Sequence, residues 1–231
     1  MVPVAALILV QANATSFEYV DQTIEGWSVH AEKALVGEHP YLWGAVKQEL
    51  TLQLIGIERV VPDGPLVKLK TIPIWIHLNS PGNVCAAFHP ESGWLKDHGM
   101  DPHMAHGFEI GNAEHFVSWT YEQPWMVMHE LAHGYHFLFL PNGFDNADVK
   151  ATYATAMAAK RYDLVRHWNG AMVKAYATTN PMEYFSETTE AYFGTNDFYP
   201  FVRGELMSAD PDGYTLMRKV WGEPQKRVPK G

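Results

Sequence analysis

His129 and His133 stand four residues apart, with Glu130 between them, in the run Trp125-Met126-Val127-Met128-His129-Glu130-Leu131-Ala132-His133-Gly134-Tyr135. On an α-helix, residues at that spacing stack on one face. Two imidazoles so placed can grip one Zn²⁺, and Glu130 can serve as base toward a water at the ion. The flanks suit a helix. Pro124 fits a first turn, and Pro141-Asn142-Gly143 supplies a stop. A helix that is apolar nearly all round is buried, and burying two imidazoles and a carboxylate is costly unless something uses them.

A catalytic zinc needs a third protein ligand and an open position. A glycine at 136 and a histidine at 139 would extend the motif to a three-histidine site. The chain has His136 and Phe139, which rules that class out. The better source is a helix expected to start at Pro181, with Asn180 as its cap, and to run to about Phe193. Glu183, Glu187 and Glu190 fall on one face of it, where like charges repel unless something positive faces them. A division follows: Glu183 as the third ligand, Glu187 as acceptor of a ligand histidine's other N–H, and Glu190 peripheral. An acidic solvated face is the alternative. Tyr176 could donate a hydrogen bond to an oxyanion, but Tyr135, Tyr153 and Tyr184 compete for that role.

Taken together, His129-Glu130-Leu131-Ala132-His133 followed by Tyr176-x6-Glu183-x3-Glu187 resembles the catalytic domain of the lethal factor-type zinc metallopeptidases, which include the Pro-Pro endopeptidases and are gluzincins in the broad sense. Glu183-x-x-Ser186-Glu187 also resembles the Glu-x-x-Ser-Asp of thermolysin-like enzymes, with Glu in place of Asp. The match covers about 60 residues, from the His129 helix through the glutamate helix. It implies His129, His133 and Glu183 as zinc ligands, Glu130 as general base, Tyr176 as oxyanion donor and Glu187 as the outer partner of a ligand histidine. The first 120 residues carry no comparable match.

The elements that must position these groups are partly readable. Trp27–His30 reads as a strand, and Leu42, Val46, Leu50, Leu54 and Ile57 mark a helix from Pro40 to Arg59. Pro62-Asp63-Gly64-Pro65 reads as a turn, and Ile72–Leu78 as a strand with Pro73 at its start or on an edge. Residues 86–102 read as loop, with His98, His103 and His106 as solvated loop histidines. Gly107-Phe108-Glu109-Ile110-Gly111 is a short strand just before the metal helix, expected either to border the cleft and pair with an extended substrate or to be one more sheet strand. Ala147–Arg161 should be helical. Asn169-Gly170 suggests a hairpin with a type I′ turn. Two short helices end near Trp221, and Glu223–Gly231 reads as a tail.

Composition sets the outer bounds. The chain has 231 residues, 47% of them apolar and 19% charged, enough for one sizeable core. A formal charge of −9 argues against a nucleic-acid partner. Cys85 is the only cysteine, so any zinc must rely on His and carboxylate. Val2–Val10 is a short apolar run and Ala12-Asn13-Ala14 fits a cleavage signal, so export to the exterior or periplasm is expected, with a buried strand in a cytoplasmic protein as the alternative. No stretch reads as a transmembrane span.

The expected fold is α+β, a two-lobed zincin-like catalytic domain over residues 15–231. A mixed sheet fills an upper lobe to about residue 140 and helices a lower lobe beyond it, with the metal helix along the floor of the cleft. The expected function is zinc-dependent endopeptidase action on an extended protein or peptide substrate. The alternatives are a zinc exopeptidase, a hydrolase of non-peptide amides, and a catalytically silent zinc-binding module.

Overall fold

The computed structural model describes residues 17–81 and 85–226. The apolar run 2–10, the 12–14 cleavage signal and the end of the tail lie outside them. Strands β1 (Tyr19–Ile24) and β2 (Trp27–Glu32) form a hairpin whose two-residue turn, Glu25-Gly26, has both φ angles positive, 47° and 82°. That is the primed turn that matches strand twist. Helices α1 (Lys33–Glu38), α2 (Pro40–Val60) and α3 (Asp63–Leu69) follow. The long α2 buries Trp43, Val46, Leu50, Leu54 and Ile57, the stripe its sequence marks. The Pro62–Pro65 turn is the first turn of α3 rather than a break.

Next come β3 (Ile74–Ile76), β4 (Ala86–Phe88), α4 (Ser92–Asp97), β5 (Phe108–Ile110), α5 (Ala113–Trp119) and α6 (Met126–Phe139). The sheet order is β1-β2-β3-β5-β4. Its β2–β3 and β3–β5 pairs are parallel, its outer pairs antiparallel. The structure departs from two expectations. Residues 86–102 contain a strand and a helix rather than a loop, and β4 forms one edge of the sheet, with β1 at the other. The stretch Gly107, Phe108, Glu109, Ile110 and Gly111 does hold a strand, but β5 sits between β3 and β4 and is fully buried. Its main-chain groups are committed on both sides, so it has none to offer a substrate.

Strand alternation sends Ile74, Ile76, Phe108 and Ile110 into the main core and Trp75 to the opposite face, where it packs with Leu95 and Met104. The main core also takes in α6, which touches β4 and β5. Gly134 permits that approach: a Cβ there would come within 2.7 Å of Ile72 Cδ1 and 3.1 Å of the Phe88 ring.

The rest of the chain is α7 (Ala147–Ala158), a small hairpin of β6 (Val165–Arg166) and β7 (Met172–Val173), then α8 (Pro181–Phe193), α9 (Arg203–Ala209) and α10 (Pro211–Trp221). The hairpin turn is not type I′. His167 N–H donates to Ala171 O and Gly170 alone takes positive φ, 88°, giving a three-residue loop. One apolar cluster runs from Ile24 to Trp221 through both halves. The fold is α+β, with α6 between a mixed sheet and a mainly helical half. Among the described residues, no helix is long and apolar enough to cross a membrane.

Candidate metal centre

Helices α6 and α8 build the site. Asn180 caps α8, its side-chain oxygen accepting from the N–H groups of Met182 (2.8 Å) and Glu183 (2.9 Å), with Pro181 in the first turn. This fixes Glu183 at the start of the helix. Ser186 Oγ donates to His129 O at 3.1 Å, tying the two helices at the level of the first histidine. At the other end of α8, a Cβ on Gly194 would lie 1.9 Å from the Trp125 indole, so a bare glycine is what lets the residue before α6 seat there.

The three expected ligand groups converge. His129 Nε2 lies 3.0 Å from Glu183 Oε2, His133 Nε2 lies 3.1 Å from the same oxygen, and the two nitrogens are 3.1 Å apart. Each ring nitrogen can only donate or accept, so one-to-one hydrogen bonds do not account for three mutual contacts. A cation facing three lone pairs would. The triangle is slightly tighter than the roughly 3.4 Å edge expected for ligands about 2.1 Å from a tetrahedral zinc. Two imidazoles and a carboxylate also suit that ion. The donor set fits.

The charges are consistent with such a role. Burial would raise the Glu183 carboxyl, but its bonds to His129 and His133 hold it well below the usual range. Burial would lower His129, and the carboxylates of Glu183 and Glu190 outweigh it and raise the imidazole.

The outer partner of His129 differs from the expected one. His129 Nδ1 is 2.7 Å from Glu190 Oε1, so Glu190, not Glu187, takes that N–H. Glu187 is buried below it and accepts from Asn196 Nδ2 at 3.1 Å. Both carboxyls are raised, chiefly by burial, and Glu190 and Asp197 raise Glu187 further. The i+7 spacing already put Glu190 on the right face. What could not be read was how far along α8 the imidazole would lie.

Glu130 lines the same cleft and is nearly buried. Tyr176 lines it too, in a 3₁₀ turn over Tyr176–Thr178 with its ring centroid 6.4 Å from that of His129. Burial raises its phenol, and Glu183 adds to that. The competing tyrosines are engaged elsewhere. Tyr153 Oη donates to Thr178 O, Tyr184 Oη to Asp210 Oδ2, and Tyr135 packs on Trp221. The Tyr153 bond to Thr178, with Ala175 N–H donating to Tyr162 O, holds the segment that presents Tyr176.

The cleft holds about 520 Å³, between α6 and α8 on one side and the edge strand Ala86–Phe88 on the other. That strand was not read from sequence. Its only local signals are the flanking Pro81 and Pro90, because three residues are too few to show alternation. Cys85 sits at its start, with its thiol pushed up to about 12 by burial and then by Glu130. His136 packs between Phe144 and Phe185, and burial lowers it to about 4. His98 and His103 make local bonds to Trp94 O and Asp101. Among the described residues, the clusters able to hold an ion are His129–His133–Glu183 and His129–Glu187–Glu190.

No protein-family profile matches the chain, and no curated protein is similar to it in sequence. Among solved structures, the Pro-Pro endopeptidase PPEP-2 from Paenibacillus alvei is similar over 87% of this chain and 100% of that one, at 20% identity and a TM-score of 0.48.

Proposed function

We propose that the chain is a zinc-dependent endopeptidase. The observation that carries this reading is the convergence of His129 Nε2, His133 Nε2 and Glu183 Oε2 within 3.1 Å of one another on the floor of a cleft rimmed by a sheet edge. Zinc bound there would supply Lewis-acid polarisation of a carbonyl and make water more acidic. The chain's own groups do the rest. Glu130 takes a proton from the attacking water and passes it to the departing amine. Tyr176 donates its O–H to the oxyanion that forms on the former carbonyl. Glu190 fixes the tautomer and orientation of His129. Strand β4 pairs with the substrate main chain, holding it extended with little demand on side chains.

An exopeptidase would need acidic groups free to capture a terminal amine. Glu187 and Glu190 lie near the site, but both are about 3% exposed and bonded to Asn196 and His129. This favours internal cleavage. A peptide library with both ends blocked, compared with the same library free-ended, tests the point. Cleavage of blocked peptides at internal bonds supports the reading, and release of single residues from free ends alone would replace it.

A further inference from the structure

On the face of the sheet turned away from α6 lies a buried polar chain that the proposed mechanism does not use. Tyr19 Oη is 2.7 Å from His77 Nε2, His77 Nδ1 is 2.7 Å from Glu109 Oε1, and His89 Nε2 is 2.9 Å from Glu109 Oε2. Glu109 and His77 are wholly buried and His89 nearly so. A carboxylate only accepts, so both imidazoles donate to it and His77 Nε2 is left to accept from Tyr19. Burial would raise the Glu109 carboxyl, yet His77, His89 and Ser80 hold it below the usual range.

The chain's position is what gives it consequence. Glu109 is the middle residue of β5 and is paired with Ala87, the middle residue of the cleft-side strand. His89 follows that strand directly. Strand β4 has three residues and one neighbour, so no second ladder steadies it. Backbone bonds continue the pairing at each end, from Gly111 N–H to Cys85 O and from His89 N–H to Gly107 O. The Glu109–His89 bond adds a side-chain anchor on the face away from the cleft.

We infer that Glu109, acting through His89, is a positioning residue that holds the edge strand Ala86–Phe88 where an extended peptide can pair with it. The peptide half of this inference rests on the endopeptidase reading, whereas the anchoring of the strand does not.

The test compares His89→Ala with His89→Gln, whose amide can reproduce a donor near Nε2. Hydrogen exchange over residues 86–88 and steady-state cleavage of a blocked fluorogenic peptide selected with the wild-type protein are measured, together with metal content. In His89→Ala, exchange over 86–88 should quicken at least about tenfold while α6 and α8 keep their protection. KM should rise roughly tenfold with kcat within about threefold, since the loss is of binding to β4. Metal content should stay at one ion per chain, and His89→Gln should recover both properties. Unchanged exchange over 86–88 would overturn the inference, as would equal quickening along the whole chain or a Gln variant no better than Ala. Should His89→Ala not fold, His89→Asn carries the same measurements, its amide being too short to reach Oε2. If the wild-type protein cleaves no peptide, the endopeptidase reading fails and the exchange result still decides the anchor.

Discussion

Replacing Glu190 by alanine should weaken zinc binding far more than replacing Glu187, although Glu187 has the spacing that the motif favours. The structure sets the size of the effect. Glu190 Oε1 accepts a hydrogen bond from His129 Nδ1–H at 2.7 Å, and the side chains are 3% and 13% exposed, so solvent screens the contact little. Losing an outer partner of a metal-bound histidine costs roughly 10- to 100-fold in metal affinity, which is about 1.4–2.7 kcal/mol. Glu187 makes no such bond, and Glu187→Ala should change affinity by less than about threefold on the same scale. Glu190→Gln keeps an acceptor in place and should fall between them. Competition for zinc against a chromophoric chelator gives all three affinities. Melting of the metal-free variants separates binding from folding: burial already raises the Glu190 carboxyl, so Glu190→Gln should be at least as stable as wild type without metal. If Glu187→Ala lost more affinity than Glu190→Ala, the assignment of the outer partner would be wrong.

Three further outcomes follow from the geometry. Tyr176→Phe removes one oxyanion donor and should lower kcat on a cleaved peptide by about 10²-fold, with KM little changed. Gly194→Ala drives a methyl into the Trp125 indole, and denaturant unfolding should show a loss of about 3 kcal/mol, at the upper end for overpacking. The metal-free protein should lose stability as pH rises from about 5 to 8. Its buried Glu190, raised from 4.5 to about 7, binds a proton when folded that the unfolded chain has released, and the same sign holds for His129. Glu190 alone bounds the loss at roughly 3 kcal/mol, readable as a fall in melting temperature across that range.

The site was more legible than the sheet, for a physical reason. A helix fixes the relative placement of its own residues, so His129 with His133, and Glu183 with Glu187 and Glu190, could be put on shared faces from spacing alone. The convergence of those two faces was inferred because each lacks a purpose without the other. The choice between Glu187 and Glu190 depends on how α8 slides along α6, which Ser186 and the Gly194–Trp125 contact set, and spacing does not encode it. Sheet order is still further from local sequence. Gly107–Gly111 has the composition of a strand, but its interior place is decided by β4 folding back beside it. That partner, Ala86-Ala87-Phe88, is too short to carry a periodic signal. The hairpins show the same limit. Asn169-Gly170 has the favoured primed-turn pair yet spans a three-residue loop, while the two-residue primed turn falls at Glu25-Gly26, where Glu25 takes the positive φ that an Asn or Gly is usually asked for.

Everything proposed for the cleft depends on a metal held by His129, His133 and Glu183, with Glu130 moving the proton. The deciding experiment is hydrolysis of a blocked-peptide library by wild type and Glu130→Gln, each with zinc, after chelation and after zinc is restored, with bound metal quantified throughout. Wild type should cleave at internal bonds, with activity that disappears on chelation and returns with zinc. Glu130→Gln should bind one zinc per chain and be slower by about 10²–10⁴-fold. Cleavage that survives chelation, or a Glu130→Gln protein working at the wild-type rate, would refute the zinc mechanism.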